Sequence, residues 1–233
     1  LGILPEGYIY PKKDRPVRDL LRKRSFLVRQ RTSLILSLQS MIVRHKAERL
    51  SGKEIKGLKI SDLKDLFKEE HLVLSAEANV STISFLSHQI DQIHKAVKKK
   101  VKLSKSFEYL RTVPGIGEIL ALTIMLEVGD IRRFPKVGHF ASYARCVPTE
   151  RLSAGKSKGK GNRRNGNRYL CWAFVEASLF ARRCNEKFRR YHQKKTAKTN
   201  NIIATKAICN KLARICYYII RDQVPFDDDA IFC

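Results

Sequence analysis

One stretch of this sequence concentrates groups able to act on a phosphodiester. Between Thr149 and Leu170 lie Ser153, Ser157, Arg151, Lys156, Lys158, Lys160, Arg163, Arg164, Asn167 and Arg168, with almost no apolar residue from Gly155 to Arg168. A serine hydroxyl is a weak nucleophile until a base takes its proton or the phosphate it meets is strongly polarised. Phosphoryl transfer asks chiefly for positioning and for positive charge around the transferring oxygens. Arg151, Lys156, Lys158, Lys160, Arg163, Arg164 and Arg168 can supply that charge. His139 is the nearest histidine in sequence. From the residues alone, Ser153 is either a nucleophile or a capping or loop hydroxyl, and Ser157 is its neighbouring competitor. A stretch of this composition cannot enter a core, and is expected to be a loop that wraps a polyanion.

A second candidate is the turn Pro114, Gly115, Ile116, Gly117, which separates two helical patterns. Glycines allow a backbone to approach a phosphate, and the N-terminus of the next helix offers free N–H groups with partial positive charge. This is the arrangement of a helix-hairpin-helix-like unit. A plain helix–helix turn uses glycine equally well, so both readings stand.

The whole chain agrees with a polyanionic partner. Its 233 residues carry 47 Lys+Arg against 22 Asp+Glu, a formal net charge of +25. Nucleic-acid phosphates bind such a surface through counterion release. No apolar run is long enough to span a bilayer and no signal-peptide pattern opens the chain, so a cytoplasmic, nucleoid-associated location is expected and no membrane partner. None of the six cysteines forms a Cys-x-x-Cys pair, so no metal site is expected, and Cys209 and Cys216 read as small core residues.

Long helices must position these groups. From Arg15 to about Lys46, Leu20, Leu21, Leu27, Val28, Leu34, Ile35, Leu38 and Ile42 recur at three- and four-residue steps, which predicts a helix. Residues 47–72 are polar, with a short helix capped at Ser61. A second long helix is predicted from Ser75 to Lys105, its stripe Ile83, Leu86, Ile90, Ile93, Val97 and Val101 nearly a heptad seam. The pair reads as an antiparallel arm or coiled coil, closed on itself or used to form a homo-oligomer. The apolar run Ile119 to Val128 predicts a central core helix. Further helices are expected over 136–146, from Tyr169 to about Gln193, and from Ile202 to Arg221, with a polar link over 194–201. The fold class is therefore mainly α: a long-helix arm (15–105), a compact helical domain (106–224) and a tail (225–233).

The order and spacing of several short pieces carry a resemblance. They are residues 113–117, Gly129 to Phe134, Pro148 to Leu170, Thr205 to Ala213 and Arg18 to Val28. Together they resemble the C-terminal transposase domain of insertion-sequence recombinases related to the Piv and MooV DNA invertases. That resemblance implies an upstream RuvC-like domain with an acidic tetrad, a coiled-coil arm, and a C-terminal domain that supplies a serine nucleophile. The serine precedes a Gly-Asn-Arg motif, here Gly166, Asn167 and Arg168, and the matching position is Ser153. The implied activity is strand exchange on double-stranded DNA through a phosphoserine linkage, directed by a structured guide RNA. Magnesium is implied for the RuvC-like acids, which would lie before Leu1, leaving no cofactor in this chain. Residues 1–14 are then the remnant of that upstream domain. The family's Ser-Gly pair appears here as Ser153-Ala154-Gly155. A competing reading is a basic DNA- or RNA-binding protein without catalysis. A ribosomal type of basic protein fits the charge but not the long apolar helices.

Overall fold

A computed structural model describes residues 7–101, 104–148, 150–160 and 165–228. The fold is mainly α, and its described residues divide into two compact units. One comprises residues 16–100, the other residues 1–15 together with 101–233.

The first unit is built on α1 (Arg15–Lys46) and α4 (Glu70–Val101), each 32 residues long, or about 48 Å at 1.5 Å per residue. They run antiparallel: Ile35, Leu38, Met41 and Ile42 of α1 share one cluster with Ala76, Val80 and Ile83 of α4. Further along, Arg31 Nη1 donates to Ser87 Oγ at 3.0 Å. The connection holds α2 (Gly52–Gly57) and α3 (Ile60–Leu66), which bury Ile55 and Leu63 in the same cluster. Ser51 and Glu54 form a capping box on α2. The cap on α3 differs from the sequence expectation. Helix geometry begins before Ser61, and Asp62 accepts from the Lys59 N–H at 2.9 Å.

The second unit is a helical bundle. It contains α5 (Lys105–Arg111), α6 (Glu118–Val128), one 3-10 turn (Ile131–Arg133) and α7 (Val137–Tyr143). There follow β1 (Glu150–Ser153), β2 (Lys156–Lys160), α8 (Arg168–Cys184), α9 (Glu186–Lys198) and α10 (Asn201–Asp222). Helix α6 buries eight of its eleven residues, and packs against α5 and α8. Helix α10 lies against α5, α7, α8 and α9, burying Ile208, Cys209, Leu212, Cys216 and Ile219. Burial pushes the Cys209 and Cys216 thiols up, so both remain protonated packing residues.

Three expectations change here. The helix predicted from Tyr169 to Gln193 is two helices, because Asn185 takes an extended conformation and its side chain caps Phe188 N–H. The polar residues up to Lys198 are helical rather than a link. The second long helix, expected from Ser75 to Lys105, spans Glu70–Val101 instead. Nearer the start of the chain, Tyr10 is buried, with its hydroxyl donating to Leu126 O at 2.7 Å. Arg133 sits among the rings of Tyr8, Phe134 and Tyr143, at 4.1, 4.3 and 4.5 Å.

Candidate functional site

The cationic stretch is a β-hairpin, not an irregular loop. Strands β1 and β2 are antiparallel, with Glu150 opposite Lys160, Leu152 opposite Ser157 and Ser153 opposite Lys156. Alternating lysines hide a strand from composition, but here nothing needs burying, since Ser153 and residues 154–159 are exposed. The two-residue connection is Ala154-Gly155, at φ +50° and +73°. Two consecutive positive φ values define the type I′ turn, whose twist matches that of paired strands.

This register sorts the side chains. Ser153 and Lys156 are directly opposed, so they share one face with roughly 5 Å between Cβ atoms. Lys158, two residues on, returns to that face. Ser157 points to the other face. Arg151 and Lys160 lie on the strands, and Arg163 and Arg164 lie outside the described residues.

A non-glycine residue at φ +50° carries a cost of about 1 kcal/mol, which Ala154 bears at the turn. Ala154→Gly removes it. Amide-exchange protection of the hairpin should then rise about fivefold; unchanged protection would show that Ala154 is unstrained in solution.

The hairpin leaves and rejoins the helical body at one place. Asn210 Nδ2 donates to Cys146 O at 3.2 Å on the outgoing leg. On the returning leg Arg145 donates to Asn165 O at 2.7 Å and to Gly166 O at 3.2 Å. Asn167 N–H then reaches Tyr143 O at 2.6 Å. Gly166 has φ +76°, and a Cβ there would lie 2.5 Å from Tyr143 O. The contact requires glycine.

Asn167 is 7% exposed, and both ends of its amide face inward. Its Oδ1 accepts from the Tyr169 and Leu170 N–H groups at 2.8 and 3.1 Å, capping α8. Its Nδ2 donates to Glu127 Oε2 at 2.7 Å, a carboxylate on α6 that is 3% exposed. The structure therefore gives Asn167 a positioning role, not an outward face toward phosphate. Arg168, by contrast, is exposed, with Nη2 3.0 Å from the Tyr169 hydroxyl. The sequence reading missed Glu127, Tyr143, Arg145 and Asn210. Glu127 had a signal, since it interrupts the apolar run from Ile119 to Val128.

At the other candidate, Gly115 has φ +84°, and a Cβ there would stand 2.3 Å from Ala177 O and 2.5 Å from Ala181 N. It is the glycine that lets this turn touch the α8 backbone. Gly117 precedes α6 with open space around its Cα. Pro114, Gly115 and Gly117 line a groove of about 600 Å3 together with Ile119, Phe180 and Cys184. The groove also holds Glu118, an acid in the first turn of α6, and Gly115 is committed to packing.

Residues 107–193 match the family model described as Transposase IS116/IS110/IS902 family. The pilin gene-inverting protein of Moraxella bovis is 31% identical over 152 residues, covering 63% of this chain and 45% of that protein. The transposase for insertion sequence element IS1328 of Yersinia enterocolitica is 27% identical over 147 residues, 61% of this chain and 44% of its own length. A probable family 20 transposase of Pseudomonas aeruginosa is 22% identical over 221 residues, 90% of this chain and 64% of that protein. The chain thus spans less than two thirds of the length of each. The chain is thus similar, over part of its length, to transposases of that description and to a pilin gene-inverting protein. Among the described residues no group of three or more His, Cys, Asp or Glu side chains could hold a metal ion. The magnesium implied by the resemblance therefore has no ligand set among them, and no step below runs through it. Among the described residues no helix is long and apolar enough to cross a membrane.

Proposed function

We propose that this chain is the nucleophile-bearing part of a DNA transposase, with Ser153 as the attacking residue. The observation that carries this reading is the hairpin register, which sets an exposed hydroxyl directly beside Lys156 and on one face with Lys158. In the step itself, Ser153 Oγ bonds to the phosphorus of a DNA phosphodiester and its proton passes to solvent. The bond from phosphorus to one deoxyribose oxygen breaks, and that oxygen leaves as a hydroxyl. The phosphoserine keeps the phosphoryl bond energy, so a hydroxyl of another strand can displace serine and reseal the backbone. The two lysine ammonium groups offset the charge gathering on the non-bridging oxygens. Ser157, on the opposite face, is not placed to share that charge.

The remaining partners follow the same reading. Double-stranded DNA is the substrate, a structured RNA guides it, and the two-helix unit joins copies of the chain. Magnesium belongs to acidic residues of an upstream domain, and the working location is the nucleoid. The basic hairpin supports phosphate binding by charge.

Replacing Lys156 and Lys158 together by alanine tests the DNA-facing hairpin. The slope of log affinity against log salt should flatten by up to about 1.8, at about 0.9 for each lost phosphate contact. An unaltered slope would turn this face away from the DNA. Denaturing-gel recovery of a DNA adduct, with the modified peptide mapped to Ser153, tests the nucleophile. Salt-dependent binding with no adduct under any condition would favour the non-catalytic binding protein instead.

A further inference from the structure

Away from the hairpin, three helices bring cationic and hydroxyl groups to one spot. Arg182 lies near the end of α8, His192 in the middle of α9, and Asn201 and Thr205 in the opening turns of α10. Arg182 Nη1 stands 3.3 Å from His192 Nε2 and 3.3 Å from Asn201 Oδ1. Thr205 Oγ1 approaches the same His192 nitrogen at 3.4 Å, and Thr196 Oγ1 approaches Nδ1 at 3.5 Å. Arg182, His192, Thr196 and Thr205 are partly exposed and Asn201 is open to solvent, so a ligand can reach all five.

The composition of this cluster is unusual for a structural knot. A guanidinium faces an imidazole, and among the described residues no carboxylate makes a hydrogen bond or ion pair with either. The adjacent end of α10 adds the partial positive charge of a 22-residue helix N-terminus. The Arg182 charge beside that helix end has no carboxylate partner among the described residues, and a bound anion offsets it. Burial, and secondly the Arg182 charge, lower the His192 pKa; an anion between the two rings of charge acts in the opposite direction.

We propose that Arg182, His192 and Thr205 form a binding site for a backbone phosphate of nucleic acid, separate from the Ser153 hairpin. Arg182 gives a planar fork of donors that suits two phosphate oxygens. Asn201 gives a side-chain amide and protonated His192 a second charge-assisted donor, while the Thr205 hydroxyl, which donates to Asn201 O at 2.8 Å, turns to the phosphate when it binds. The inference rests on the reading of this chain as a nucleic-acid-binding protein. It adds a contact on a different face, one that reads no base.

The test uses duplex DNA and duplex RNA of the same sequence, titrated against salt, with Arg182→Gln and His192→Gln. Each variant is checked for an unchanged melting temperature. A site of this kind lowers the salt slope by about 0.9 for Arg182→Gln, on whichever duplex supplies the phosphate. In the unaltered protein, duplex also raises the His192 titration midpoint seen by ring NMR, so binding tightens as pH falls from 8 to 6. His192→Gln reduces that pH dependence. An undiminished slope on both duplexes, or a His192 midpoint unmoved by either, overturns the site while leaving nucleic-acid binding intact. If the unaltered protein shows no salt-dependent binding, the broader reading fails first. If both variants melt early, the NMR midpoint in the unaltered chain decides alone.

Discussion

Ser153→Ala should abolish covalent attachment to DNA while leaving DNA affinity within about twofold. The substitution removes one exposed oxygen from a hairpin tip, and takes away neither a cationic side chain nor a backbone pair. Its effect is therefore confined to bond making. Lys156→Met should leave the nucleophile in place and slow attachment by roughly 10²-fold, the size of effect seen when one donor to a developing oxyanion is lost. Ser157→Ala should attach normally, because that hydroxyl lies on the other face. The measurement is the yield of DNA-linked protein after denaturation, in the full-length protein, alongside affinity for the same duplex. A Ser153→Ala protein that still forms the adduct would move the nucleophile elsewhere.

Asn167→Ala should lower the stability of the second unit by about 3 kcal/mol. The loss combines a helix cap of about 1 kcal/mol with a buried hydrogen bond to a charged group, worth about 2 kcal/mol. For a unit of this size the melting temperature falls by roughly 8 °C, readable by calorimetry. Asn167→Asp separates the two parts. It keeps the acceptor that caps α8 but sets a second carboxylate against Glu127. Its loss of stability then reports on the Glu127 contact alone, with the cap kept. A melting temperature unchanged by Asn167→Ala, with DNA affinity reduced, would return Asn167 to the outward-facing role its sequence motif suggested.

Those two substitutions also show how far the sequence could be read. Helix α1 was legible from end to end because its apolar residues recur over 32 positions, with no Gly inside and its one proline, Pro16, in the first turn where the missing N–H costs nothing. The core helix α6 was legible from its continuous apolar run. The hairpin was not, since its strands have no apolar alternation and the strand signal depends on burial that these residues never experience. Its turn did announce itself faintly in Ala154-Gly155, where Gly155 invites a positive φ. The break between α8 and α9 escaped because neither Gly nor Pro marks it: Asn185 ends one helix with an extended backbone and caps the next with its side chain. The role of Asn167 could not be foreseen either, because its partner Glu127 lies 40 residues away. Motif position says that a residue matters; only the fold says which way its amide points.

The hairpin's construction separates two properties that a flexible loop would confuse. Both of its legs are tied at the Tyr143–Cys146 bend, and its tip is a fixed two-residue turn. The distance at which the hydroxyl is held is then counted in strand residues, about 3.3 Å for each. Above the register shift between Glu150 and Leu152, the side on which it is offered is set by whether that count is odd or even. Adding one residue to each strand would turn the serine and its lysine partner over together, whereas adding two would extend them outward with their facing unchanged. Reach and handedness at this tip are thus written in whole-residue steps.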